Sequence, residues 1–152
     1  MKKTILSAVL ALSLAIGITA SANAEQKIAV IDINAIMEQS TQVQALNKEQ
    51  QTKMADLEKW VETVKKDVEK QKTQEGKEKL FKKYQADYLK KKADIINNGQ
   101  IKMQSISDNI MTNIQKQAKA KGYDMVITKG VVVYGGEDIT ADVVKAVNGK
   151  TK

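Results

Sequence analysis

From Met37 to Lys121 the chain contains no proline and only two glycines, Gly76 and Gly99, with helix-forming residues throughout. Along the first half of this stretch Val43, Leu46, Gln50, Met54, Leu57, Val61, Val64 and Val68 recur at steps of three and four. That spacing keeps one stripe on one helix face, as in a coiled coil. A weaker stripe follows in Leu80, Tyr84 and Tyr88, then Ile95, Gly99, Met103, Ile106, Ile110 and Ile114. Between the two lies Lys72-Thr73-Gln74-Glu75-Gly76-Lys77, which is read as a turn between antiparallel helices. Asn97-Asn98-Gly99 is a competing turn, but it leaves one arm largely unpaired. A turn near Gly76 instead gives two arms, each roughly 60 Å long at 1.5 Å per residue. Asn97–Gly99 is then a weak point, and an expected hinge, inside the returning helix.

The hairpin brings its flanks together. Lys27-Ile28-Ala29-Val30-Ile31-Asp32-Ile33 reads as a strand, with Asn34 capping the helix after it. Asp32, inside that apolar run, is placed to cap or orient neighbouring backbone. Tyr123–Ile127 and Val131–Tyr134 read as two strands joined by Thr128-Lys129-Gly130 as a hairpin loop. Thr140 is expected to cap a short helix over about Ala141–Val147. Three strands and one short helix make a small core for one chain. The run Val131-Val132-Val133 lacks alternation, which predicts burial on both faces. Self-association through Ile28, Val30, Val131, Val132 and Val133 is therefore expected. The fold class is α+β, mainly α: a long antiparallel helical hairpin, a coiled-coil tentacle, on a small β-rich oligomerisation body. The body comprises residues 25–36 and 122–152, and the arm residues 37–121.

Residues 1–24 read as a cleaved signal peptide. Lys2 and Lys3 precede the apolar stretch Ile5–Ile18, and Ala22-Asn23-Ala24 is an A-x-A cleavage site before Glu25. The expected location is the periplasm. The chain has no Cys, His, Pro or Arg. Disulfides, thiolate nucleophiles, the usual transition-metal ligands, the usual general base and bidentate guanidinium recognition all fall away together. No catalytic residue, metal or cofactor is expected. Gly149-Lys150-Thr151 matches the end of a phosphate loop only by chance, because Val144 stands where that loop needs glycine.

Charge is concentrated. Residues 65–92 hold 11 Lys against 5 acids, whereas the rest of the chain from Glu25 holds 12 Lys against 13 acids. Lys65, Lys66, Lys70, Lys72, Lys77, Lys79, Lys82, Lys83, Lys90, Lys91 and Lys92 are the candidate contacts for a client chain or an anionic surface. With the turn near Gly76, they occupy the far end of the arm. Trp60, Phe81, Tyr84 and Tyr88 are read as cross-arm packing, and the arm methionines as core. Nucleic acid is not an expected partner in vivo, because the sequence has no groove-reading motif and no stacking platform.

The signal sequence, Ile28-Ala29-Val30-Ile31-Asp32, the long charged hairpin and the closing Tyr123–Ile127, Val133-Tyr134, Asp138-Ile139-Thr140 and Val143-Val144 resemble the OmpH/Skp periplasmic chaperones. The resemblance spans the chain after the leader. It implies a homotrimer with tentacle-like hairpins around a cavity. It also implies ATP-independent holdase action on unfolded outer-membrane proteins, held by many weak contacts without a deep pocket. A lipopolysaccharide site in that family depends on Lys and Arg; with Arg absent, only a general affinity for lipopolysaccharide or anionic lipid is carried over. A second reading is a structural adaptor whose coiled coil binds one folded envelope partner or anionic lipid.

Overall fold

Asp32 ends the first strand and starts the first helix. Its backbone is extended and its Oδ1 accepts from the Ala35 N–H at 3.0 Å, capping α1 (Ile33–Gln39) directly after β1 (Ile28–Ile31). The cap thus falls two residues before Asn34. The computed structural model describes residues 26–149; the expected leader, its cleavage site and Lys150–Lys152 lie outside them.

The arm does not continue α1. The chain breaks at Ser40, which is buried, and α2 (Thr41–Glu69) begins after it with the Ser40 Oγ accepting from Val43 N–H. Asn148 fastens this break from across the body. Its Oδ1 accepts from Thr41 N–H at 2.9 Å and its Nδ2 donates to the Gln39 carbonyl at 2.8 Å. The return helix α3 (Gln74–Lys121) is 48 residues long against 29 in α2. The turn between them is Lys70–Thr73, a few residues earlier than expected. Thr73 is the reason: its Oγ1 accepts from Gly76 N–H at 3.1 Å, so Gly76 lies in the first helical turn. Glu75 in that turn complements the positive end of the helix.

Both arm ends reach one small sheet, in the order β2-β1-β3, with β1 in the middle. Strand β2 is Met125–Thr128 and β3 is Glu137–Asp138. Both run parallel to β1, Val30 lying opposite Ile127 on one side and Asp138 on the other. The expected antiparallel hairpin does not form. After β2 the chain makes a 3₁₀ turn at Lys129–Val131 and passes to the opposite edge of β1. Val131–Tyr134 joins no strand, and Val133 and Tyr134 are fully exposed. With β1 paired on both edges, the valine run has no strand to pair with among the described residues, and its missing alternation reflects exposure rather than two-sided burial.

The last helix, α4 (Thr140–Asn148), begins with Thr140 rather than being capped by it. Asp138 Oδ1 accepts from Thr140 N–H, and the Thr140 Oγ1 accepts from Asp32 N–H at 2.9 Å. The core joins Ala29 and Ile31 of β1, Ile36, Val43 and Leu46, the α3 isoleucines 106, 110 and 114, and Ile139, Val143 and Val147 around α4. Around its edge Asp124 accepts from Lys27 N–H, Lys121 pairs with Asp142, and the Glu137 carboxylate lies near Tyr123. That carboxylate, followed by burial, pushes the Tyr123 hydroxyl up to about 12.

Gly136 lets β3 approach β1. Its φ is +84° and a Cβ there would stand 2.4 Å from Val30 Cγ2. Gly136→Ala combines left-handed strain with a steric clash, so it should cost roughly 2 kcal/mol or more, read as a lower urea midpoint at unchanged m-value.

Candidate functional site

The α2–α3 interface changes character along its length. Near the body, Ile106, Ile110 and Ile114 are buried against Val43 and Leu46. Farther out, Gly99 admits Gln50, since a Cβ at 99 would lie 2.7 Å from Gln50 Nε2. This nitrogen is buried and has no partner among the described residues. Here α3 is uninterrupted helix, and close approach accounts for Gly99. Beside it Glu49 accepts from Lys102 of α3 at 2.6 Å and pairs with Lys53 at 2.7 Å. Those two ammonium groups, Lys102 foremost, draw the Glu49 carboxyl down to about 2.

Beyond this clasp Leu57 and Val64 are still buried, but the interface around them is less filled. A groove of about 610 Å³ opens, walled by Leu57, Val61, Val64 and Val68 of α2 and by Phe81, Tyr84 and Tyr88 of α3. Trp60 stands edge-on to Tyr84 with ring centroids 5.8 Å apart, as cross-arm packing requires. Phe81 is exposed despite its size. Past Trp60 a second hollow of about 310 Å³, lined by Lys53, Leu57, Lys91 and Ile95, extends the opening. The aromatic positions were visible in the sequence as packing residues; the space they leave was not.

The α2 side of the groove is charged, whereas its α3 lining, Phe81, Tyr84, Gln85 and Tyr88, is not. The α2 lip carries Glu58, Glu62, Lys65 and Glu69. Above the α3 wall, Lys91 Nζ lies 5.4 Å from the Trp60 ring centroid and Lys92 Nζ 5.9 Å from that of Tyr88. The basic block is therefore preceded by an acidic stretch of α2. Residues 54–64 hold one Lys and three acids, residues 65–73 four Lys and two acids, and residues 74–92 seven Lys and three acids.

Of the candidate cations, Lys65 pairs with Glu62 at 3.0 Å and Lys70 with Asp67 at 3.2 Å. Lys66, Lys72, Lys77, Lys79, Lys82, Lys83, Lys90, Lys91 and Lys92 enter no ion pair among the described residues, and all except the half-buried Lys77 are exposed. The candidate association residues scatter. Val131 and Val133 are exposed, Ile28 and Val132 are half-buried, and Val30 is buried against the chain's own Gly136.

An extended two-helix arm on a small three-stranded body, with an open apolar groove near the tip, defines a mainly-α protein built for contact along a surface. The sequence profile of a family described as Outer membrane protein (OmpH-like) matches residues 27–147. The chain belongs to this OmpH-like family, which suggests a general role in chaperoning outer-membrane proteins. A search among curated proteins found no match. No helix among the described residues is long and apolar enough to cross a membrane.

Two measurements check this account of the arm. Ile110→Ala should destabilise the protein by roughly 3 kcal/mol, because it empties a packed site, while Phe81→Ser at the open wall should stay within about 0.5 kcal/mol in the same urea titration. Glu49 has a folded pKa near 2, so its contribution is complete above its ordinary value of 4.5 and is lost as pH falls toward 2. The stability difference between the wild type and Glu49→Gln should therefore shrink over that window in thermal melts, and shrink again with added salt.

Proposed function

We propose that the protein is an ATP-independent periplasmic holdase. It binds unfolded outer-membrane proteins and prevents their aggregation during transit. What supports this reading is the arm tip, where lysines of α3 that enter no ion pair among the described residues lie close to an apolar groove. An unfolded envelope protein offers both complements: acidic side chains for the ammonium groups and apolar segments for the groove. The lysine field raises encounter rates, and several weak contacts then retain the client without folding it.

One arm is a weak trap. Self-association of the body into a trimer multiplies the contacts, and the exposed Val131, Val133 and Tyr134 supply apolar surface for it. Val30 is buried next to the chain's own Gly136. The same ammonium groups also attract lipopolysaccharide phosphates or anionic lipid, which makes these surfaces competitors of the client.

The test is aggregation of an unfolded β-barrel protein diluted from denaturant. The wild type should suppress it at about one oligomer per client. Replacing Lys82, Lys83, Lys90, Lys91 and Lys92 with Gln should slow capture roughly tenfold at low salt and remove most of its salt dependence. Absence of suppression at any ratio would favour an adaptor role. Suppression untouched by the substitutions keeps the holdase and takes these lysines out of its mechanism.

A further inference from the structure

Trp60, the only tryptophan of the chain, stands in the wall of the tip groove, where it reports directly on what enters. We propose that this groove binds an extended segment of unfolded polypeptide whose apolar or aromatic side chains alternate with polar ones. The inference deepens the holdase reading and rests on it for the unfolded state of the client.

Length is the first argument. The groove follows α2 from Met54 to Val68, about 21 Å at 1.5 Å per residue. An extended chain covers that distance in about six residues at 3.4 Å each, with every second side chain on one face. Such a segment lowers three side chains along the groove, between Leu57, Val61 and Val68 on one wall and Phe81, Tyr84 and Tyr88 on the other. The volume of about 610 Å³ falls within the range of ligand clefts, and its lining is apolar and aromatic.

The lips supply the second argument. A captured unfolded chain arrives with backbone N–H and C=O groups unpaired, and burying them without partners is costly. Acceptors line the groove itself, and donors stand next to its rings. Glu58 and Glu69, which enter no ion pair among the described residues, are acceptors on the α2 side. Lys91, in the adjoining hollow, and Lys92 are donors near the Trp60 and Tyr88 rings. A helical segment satisfies its own backbone and gains nothing from this pairing of acceptors with donors. The polarity also orders the polar side chains of the occupant, cationic ones toward α2 and acidic ones toward α3. Strands destined for a membrane barrel have this alternation, apolar outward and polar inward.

The experiment titrates the purified protein with three Trp-free peptides of one composition. In one the apolar residues alternate, in one they follow helical spacing, and in one they form a single block. The alternating peptide should shift Trp60 emission to the blue and bind roughly tenfold more tightly than the other two. Phe81→Ser should weaken that binding roughly fivefold at unchanged far-ultraviolet circular dichroism. Equal or tighter binding of the helically spaced peptide overturns the proposal. So does binding that leaves Trp60 emission unchanged and ignores Phe81→Ser. Aggregation suppression measured on the same samples separates the two levels. Suppression without preference for the alternating peptide refutes the groove and leaves the holdase standing. Preference for it without suppression refutes the holdase.

Discussion

Pairing of β1 on both edges is the contact on which the rest of the molecule depends. The strand is only four residues long, and each neighbour comes from the far end of the chain. Because β2 runs parallel to β1, no tight turn can join them, and the crossover between them is the whole arm. The Lys27–Asp124 bond spans 97 residues and the clamp of Asn148 on Gln39 spans 109. These contacts hold the two helix ends together at the body, so closure there sets the register of α2 against α3. Asn148 at the Ser40 break then fixes the angle at which the arm leaves.

Packing weakens outward from that closure, and this gradient creates the site. Isoleucines on α3 fill the near half of the arm, and the Glu49–Lys102 clasp marks its limit. Beyond it Leu57 and Val64 stay buried, while Val61 and Val68 border the rings of Phe81, Tyr84 and Tyr88 along an open groove. The groove is a packing deficit that the stable half of the arm tolerates. Its apolar walls stay open because body and clasp hold the helices side by side.

Much of this was legible in the sequence. The stripe from Val43 to Val68 gave the hairpin, because it is a local pattern, whereas the cap expected at Asn34 falls at Asp32. The turn was misplaced because Gly76 outweighed Thr73, although Thr73 followed by Glu75 is the stronger helix start. The sheet was misread for a deeper reason. Gly130 between two β-rich runs is a genuine local hairpin signal, but strand order is decided by which edge of β1 remains free, a long-range matter. The groove was illegible because spacing reports which residues face each other and not how well they fill the space. The basic block hid an unevenness just outside it, because the acids of α2 lie in residues 54–64, before the block begins.

That unevenness changes what a client meets at the tip. Packed helices lie 8–10 Å apart, and the screening length at physiological salt is about 8 Å. The charges of the two helices therefore do not average into one field at contact distance. From afar at low salt the tip acts as a cation, and Lys77–Lys92 dominate the approach. On the proposed reading, a chain in the groove meets the carboxylates of α2 on one side and uncharged rings on the other, with Lys91 and Lys92 next to those rings. Net positive charge would then draw a client to the arm, and the apolar groove would hold it.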